Sequence, residues 1–249
     1  HDMPWTPAVF AAALALGAAA AWGAGDFTGG LAARRVGSIH TVLISYGVGL
    51  TALATVALAR LEPCPPPADL IWGATAGIVG MTGLVLLVRA FALGRMGIVA
   101  PVSGVLTAAI PAVVGALTEG LPHKGQLAGF AAALISIWLL SRPEPLGGRP
   151  AGLGIALLAG VGFAGFFIAL DQIAPGAVFW PLVAGRLAAC GLMVGVMLST
   201  RRPVIPSAPP LGLLAAAGVL DVSGNLFFLL AVQRGRLDVS AVLASLYPA

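Results

Sequence analysis

Eight long apolar segments, separated by short polar connections, restrict the fold of this chain more than any other feature. A helix needs about 20 apolar residues to cross the hydrocarbon core of a bilayer, because each residue adds only ~1.5 Å. Each segment is close to that length or longer, so the sequence predicts eight transmembrane α-helices. The segments cover about residues 7–30, 39–59, 70–92, 97–118, 125–141, 151–171, 177–199 and 209–232.

The composition agrees with a chain whose solvent is lipid. Only 9% of the 249 residues are charged and 59% are apolar, whereas a soluble domain carries about a quarter charged residues. The net charge of +4 comes from basic residues placed singly or in pairs between apolar segments, where they anchor helix ends and set orientation. We therefore expect an all-α integral membrane protein whose partner is the lipid bilayer and which binds no nucleic acid. Cys64 and Cys190 form no disulfide framework or metal-ligand spacing, and we expect no metal or cofactor.

The chain contains an internal repeat at an offset of about 141 residues. Residues 77–83 align with 218–224, residues 102–106 align with 239–243 after a two-residue slip, and Trp22 aligns with Phe163. Equivalent helices are then five spans apart, and an odd number forces the second copy to insert upside down. Inverted repeats are an architecture of secondary transporters, which place the substrate near the midplane between the copies.

This repeat divides the chain into two predicted domains. Residues 1–142 form a five-helix copy, and residues 151–249 form the second copy as far as part of its fourth helix. The ninth apolar segment begins near Leu237 and stops at Ala249 after about a dozen residues, too few to cross. We expect a ten-helix fold built as an inverted repeat, of which about eight and a half spans are present.

Three stretches carry a resemblance to a known family: residues 22–30, the central Pro111 of span 4 mirrored by Pro248, and Glu119 followed by Gln126 and Gly129. They resemble the EamA-type drug/metabolite transporters. The resemblance implies ten helices, a central cavity lined by helices 1, 3, 4, 6, 8 and 9, and movement of small metabolites across a bacterial inner membrane. The Glu–Gln spacing after span 4 is one residue longer here than in that family, and Gly120 stands where a basic residue often follows the glutamate.

Two ionisable residues fall deep inside predicted spans, and such residues are costly in lipid and often functional. Arg186 lies 18 residues before the centre of the connection near residue 204, and Asp221 lies 17 residues after it. Equal rise per residue places both at similar depth on adjacent antiparallel helices, which predicts a structural ion pair. Alternatively, Asp221 faces the cavity with Asn225 one turn later and binds an amino group or carries a coupling proton.

Further candidates for substrate binding come from spans 1 and 4. Asp26 either pairs with Arg34 or Arg35 or stands at the mouth of the cavity beside Trp22. The hydroxyls of span 4 either line the cavity or bond to carbonyls of their own helix. The complete set of predicted substrate-binding residues is Trp22, Asp26, Ser103, Thr107, Asp221, Asn225 and Tyr247.

Three glycine pairs have the small-xxx-small spacing of close helix packing, and we predict that they form packing faces. They are Gly25 with Gly29, Gly73 with Gly77, and Gly191 with Gly195.

The predicted function is secondary transport of a neutral, zwitterionic or amphipathic metabolite such as an amino acid or drug, because the spans contain few charges. Residues 23–26 also match the Gly-x-Gly-Asp signature of intramembrane aspartyl proteases, with Asp221 as the second aspartate. In that family the other aspartate follows a tyrosine and precedes this signature, so we expect no enzyme. A channel or scaffold is the remaining alternative.

Two indications of the membrane orientation disagree. Seven basic residues follow odd-numbered spans and four follow even-numbered ones, which favours an external N-terminus. The EamA resemblance implies the opposite orientation.

Overall fold

The computed structural model describes residues 7–93, 96–140, 152–199 and 209–246. Within these ranges the chain is helical, and every predicted span corresponds to a helix. The helices are α1 (Pro7–Val36), α2 (Ser38–Ala59), α3 (Pro67–Leu93), α4 (Met96–Thr118), α5 (Lys124–Leu140), α6 (Leu153–Asp171), α7 (Phe179–Ser199), α8 (Leu211–Val232) and α9 (Leu237–Ala244).

Six of these helices, α1, α2, α3, α6, α7 and α8, are long and apolar enough to cross a membrane. Large apolar side chains point outward around the bundle, among them Leu58, Ile71 and Leu198. The interior is rich in alanine, which lets helices approach closely. The protein is therefore a multi-pass helical membrane protein.

The structure extends α1 beyond the predicted span. Residues 7–30 were expected in the helix, yet α1 continues through Arg34 and Arg35 to Val36. Basic side chains in the last turn are favourable because they face the negative end of the helix dipole. The helix stops at Gly37, whose φ of 81° is readily adopted by glycine. Hydropathy located the apolar part of this helix, whereas Gly37 sets its end.

Polar contacts show which helix ends meet at one face of the bundle, here named face A. The carboxylate of Glu62, after α2, accepts hydrogen bonds from the backbone N–H of Val178, just before α7 (2.8 Å). Asp69, in the first turn of α3, accepts one from Ala174, just after α6 (2.9 Å). Gln233, just after α8, donates to the Ala174 carbonyl (3.1 Å). Thus α2, α6 and α8 end at face A, and α3 and α7 begin there.

Glycine contacts agree with these directions. In the antiparallel pair of α1 and α8, Gly25 packs against Asp221 and Gly224 packs against Trp22. Since α8 ends at face A, α1 begins there and ends at the opposite face, named face B and marked by Val36 and Ser38. Helices α1 and α3 therefore run from face A to face B, and α6 and α8 run the other way.

The largest cluster of buried apolar side chains occupies the half of the bundle nearest face A. It joins the ends of α6 and α8 to the beginnings of α7 and α9. Leu170, Ile173, Leu229 and Leu237 are each at most 2% exposed within it. The half nearest face B is less filled, and this difference positions the site.

Candidate functional site

A cavity of about 600 Å³ lies in the half of the bundle nearest face B. It is bounded by α1, α2, α3, α6 and α8, with Thr107 of α4 at one side. Ala33 and Ser38 flank the connection between α1 and α2 at face B, and both line the cavity. The cavity therefore extends from the middle of the bundle to face B.

Aromatic rings form the deep end of this cavity. Trp22 stacks on Phe167 with ring centroids 5.7 Å apart, and Phe166 approaches Trp22 edge-on at 6.3 Å. Behind them, Phe228 stacks on Phe167 at 4.3 Å and is fully buried. These rings join the apolar cluster beneath them, so the cavity is closed toward face A.

Arg186 and Asp221 form an ion pair between α7 and α8. The Arg186 side chain is 4% exposed, whereas that of Asp221 is 29% exposed and lines the cavity. The guanidinium carbon of Arg186 also lies 4.0 Å from the ring centroid of Tyr46, a cation–π contact. The two interpretations of Asp221 are thus compatible, because the same carboxylate pairs with Arg186 and faces the cavity.

The Nε atom of Arg186 is buried and has no hydrogen-bond partner among the described residues. Arg186 borders a second, smaller pocket of about 40 Å³ between α3 and α7. A pocket of that size can hold a few water molecules. Water in this pocket can therefore hydrate the Nε–H group of Arg186.

Trp22 and Asn225 connect α1 to α8 across the cavity wall. The indole Nε1 of Trp22 donates to the Asn225 Oδ1 atom (3.0 Å). This bond fixes the indole plane at the cavity's deep end and leaves the amide nitrogen of Asn225 as a donor beside the cavity.

Asp26 lies one turn beyond Trp22 and also lines the cavity. The described part of the chain contains no ion pair between Asp26 and Arg34 or Arg35. Of the two interpretations of Asp26, the structure therefore favours the carboxylate facing the cavity.

The remaining predicted site residues differ in whether they line the cavity. Thr107 lines the cavity, but its hydroxyl donates to the Ser103 carbonyl of its own helix (2.8 Å). Ser103 is 3% exposed and packs against Gly160 of α6, outside the lining. Tyr247 and Pro248 lie outside the described residues. Five of the seven predicted residues therefore share one cavity.

The predictions for the glycine pairs also have different outcomes. Gly73 and Gly77 pack against the backbone of Pro181 and Gly185, so this pair does form a packing face. For Gly191 and Gly195 the prediction is wrong, because no described atom lies near the place where a side chain would stand. Both are exposed on the outer surface of α7. Spacing alone does not tell which face of a helix meets a neighbour.

Several contacts hold the bundle closed at face A. Besides Val178, the N–H groups of Phe179 and Trp180 donate to the Glu62 carboxylate at 3.0–3.2 Å. The Trp180 indole donates to the Glu62 backbone carbonyl (2.9 Å). A carboxylate at this helix N-terminus satisfies free N–H groups and faces the positive end of the dipole. Glu62 therefore joins α2 to the start of α7.

A second polar junction at face A joins α4 to α9. Arg236 holds Asp238 with a hydrogen bond of 2.8 Å and lies 3.7 Å from the Glu119 carboxylate. Glu119 accepts from the backbone N–H of Leu237 (3.0 Å). Asp238 is completely buried, and its hydrogen bond raises the pKa of Arg236. Glu119 itself is exposed, and its hydrogen bond from Leu237 caps the first turn of α9.

Sequence reasoning missed several residues of this arrangement. Tyr46 and Ser45 line the cavity from α2, and Glu62 and Asp69 hold face A. One signal was available for Tyr46, since it is one of only two tyrosines and lies in the middle of an apolar span. Glu62 and Asp69 flank the proline-rich connection between α2 and α3, but nothing local identifies their partners more than 100 residues away.

The described residues include no group of three or more histidine, cysteine, aspartate or glutamate side chains placed to hold a metal ion.

Comparisons with known proteins define the fold. No family model matches the chain, and no curated protein matches it in sequence. A solved structure, described only as the crystal structure of a protein, superposes with a TM-score of 0.78 at 15% sequence identity. The match covers 96% of this chain and 85% of that one. The two share a fold, and the fold and site together define a multi-pass helical membrane protein with a cavity inside its bundle.

Proposed function

We propose that this protein is a secondary transporter that moves a small metabolite across a membrane. The observation that carries the proposal is the cavity of about 600 Å³, which reaches one face of the bundle and is closed toward the other. Ligand sites of this size are mostly apolar with a few polar groups that orient the ligand. The lining has that character, with Asp26, Asp221 and Asn225 among aromatic and aliphatic side chains.

We further propose that the helices form two inverted copies. Contacts of the first copy recur in the second at an offset of 141 residues. Gly25 packs against Asp221. At this offset Gly25 corresponds to Phe166 and Asp221 corresponds to Gly80, and these two residues also pack together. A two-fold axis in the membrane plane exchanges such pairs.

The contact at the deep end of the cavity repeats in the same way. Gly224 packs against the Trp22 ring, and Gly83 packs against the Phe163 backbone. At the same offset, Gly83 corresponds to Gly224 and Phe163 corresponds to Trp22. The opposite directions of α3 and α8 are those that a five-helix inverted repeat requires, and they support this proposal.

Transport then proceeds by alternating access. The form described here admits a substrate from face B while Glu62, Asp69 and Arg236 hold face A closed. Rocking one copy against the other breaks these contacts, opens face A and closes the cavity toward face B. Protons are a candidate coupling ion, with Asp26 and Asp221 as the carboxylates that can carry them.

The resemblance to EamA-type transporters fits this mechanism. It places residues 1–142 in the first copy, residues 151–249 in the second, and the protein in a bacterial inner membrane. The α4–α9 junction through Arg236 and Glu119 agrees with a ninth helix at the wall between the copies.

One observation favours a second candidate, the intramembrane aspartyl protease, because Asp26 and Asp221 line the same cavity. A catalytic aspartate pair shares one proton, so that one member acts as acid and the other as base. Here Asp221 is engaged in an ion pair with Arg186 rather than in a proton-sharing pair with Asp26. This pairing supports transport over proteolysis.

The test begins with a pooled metabolite-toxicity screen in cells that express the protein, followed by counterflow of each radiolabelled candidate in proteoliposomes. Transport predicts saturable counterflow that is reduced by Asp221→Asn and unchanged by Asp171→Asn, a carboxylate outside the cavity lining. Leakage equal to that of empty liposomes for all candidates would contradict the proposal. Cleavage of a membrane substrate, abolished by either Asp26→Asn or Asp221→Asn, would establish the protease instead.

A further inference from the structure

The charge of the cavity wall distinguishes between classes of substrate, within the transporter proposed above. Among the described residues that line the cavity, only Asp26 and Asp221 have a charged side chain. Arg186 neutralises Asp221 from behind the wall, where it is 4% exposed. No ion pair involves Asp26 among the described residues. The lining therefore carries one carboxylate without a counter-ion.

Aromatic side chains surround the space next to this carboxylate. Trp22 precedes Asp26 by four residues and lies on the same face of α1, and Phe163 and Phe166 line the wall from α6. The faces of aromatic rings attract cations, most strongly when both are removed from water. A positive charge near Asp26 is thus favoured by the carboxylate and by the rings together.

An independent feature of the wall points to a polar ligand. Ser45 lines the cavity, is 5% exposed, and its hydroxyl has no hydrogen-bond partner among the described residues. Buried hydroxyls are normally satisfied. A ligand with a polar group at this depth would satisfy Ser45.

From these observations we propose that the cavity takes an amphipathic organic cation, meaning a positively charged nitrogen on an apolar body, with Asp26 as its counter-ion. An anion would meet no available cation among the described residues of the wall, since Arg186 is already engaged by Asp221 and Tyr46. A zwitterion would place its carboxylate in the same unfavourable surroundings. The volume of about 600 Å³ suits a body with one or two rings.

The test measures binding of phenyltrimethylammonium, its neutral isostere tert-butylbenzene and the anion benzenesulfonate to the protein in lipid nanodiscs. We expect the cation to bind best, and Asp26→Asn to weaken its binding by about tenfold or more. Asp26→Glu restores much of this affinity because it keeps the charge. Asp171→Asn is the matched control and leaves binding unchanged, and tert-butylbenzene is insensitive to Asp26→Asn.

Equal binding of the three probes, or cation binding that is unaffected by Asp26→Asn, would overturn this assignment. Failure of the assignment is distinguishable from failure of the proposed function. If neutral or zwitterionic metabolites show counterflow while the cation does not bind, only the substrate class is wrong. If the cation binds but no compound crosses the liposome membrane, the transport proposal is wrong.

Discussion

Arg186 of α7 donates a hydrogen bond to Asp221 of α8 at the wall of the cavity, and only the carboxylate of this pair reaches the cavity. The pair thus joins two helices and leaves one acidic group available to a ligand. The Arg186 side chain is 4% exposed and that of Asp221 is 29% exposed. Arg186 therefore depends on its partner for charge compensation more than Asp221 does.

Removal of either partner of this pair should destabilise the protein to a different extent. Asp221→Leu leaves a buried guanidinium without its counter-ion, which costs about 3–5 kcal/mol. Arg186→Met leaves a carboxylate that the cavity can hydrate, so the loss should be smaller. Denaturant unfolding in micelles measures both, and the double variant should be more stable than the sum of the single changes predicts. Strictly additive effects would show that the two side chains are not coupled.

Close packing of α3 on α7 depends on Gly77. A methyl group at this position would overlap the backbone of Gly185, so Gly77→Ala should lower the free energy of unfolding by about 1–3 kcal/mol. Gly191→Ala is the matched control, since no atom of the described residues lies near a side chain at Gly191. Alanine is the better helix former, and this control should be neutral or up to about 1 kcal/mol more stable. Equal effects of the two substitutions would contradict the described helix interface.

Closure of face A should depend on Glu62. In a background with Cys64→Ser and Cys190→Ala, an Ile173→Cys variant reports opening, because Ile173 is 2% exposed beneath this face. Loss of a helix cap is worth about 0.5–2 kcal/mol, so Glu62→Ala should accelerate labelling by a membrane-impermeant thiol reagent by roughly 2- to 30-fold. Glu62→Gln should have an intermediate effect, and Asp171→Asn none. An unchanged rate in Glu62→Ala would exclude this contact as a gate.

The junction of α4 with α9 should depend on Arg236 far more than on its neighbour Arg234. Asp238 is completely buried, and Arg236→Met would leave it without its counter-ion. We expect a loss of about 3 kcal/mol in the free energy of unfolding. Arg234→Met, at an exposed position, should change stability by less than about 0.5 kcal/mol. The melting temperatures of the two variants in detergent provide the comparison, and similar values would refute the role assigned to Arg236.

The sequence by itself determined that this chain is a bundle of membrane helices, and it located those helices closely. The physical reason is that lipid requires each span to satisfy its own backbone hydrogen bonds, so that length and hydropathy suffice to find it. The common depth of Arg186 and Asp221 also followed from the sequence, because helical rise is constant.

Only the tertiary structure decided which faces of the helices meet. Gly77 and Gly191 have equivalent spacing motifs, yet within the described part of the chain only Gly77 packs against another helix. Likewise Glu62 and Val178 meet at face A although 116 residues separate them. In lipid an apolar surface gains little by facing protein rather than acyl chains, so the apolar pattern carries weak information about contacts. Shape and a few polar groups select the contacts, and these emerge only when the whole bundle is assembled.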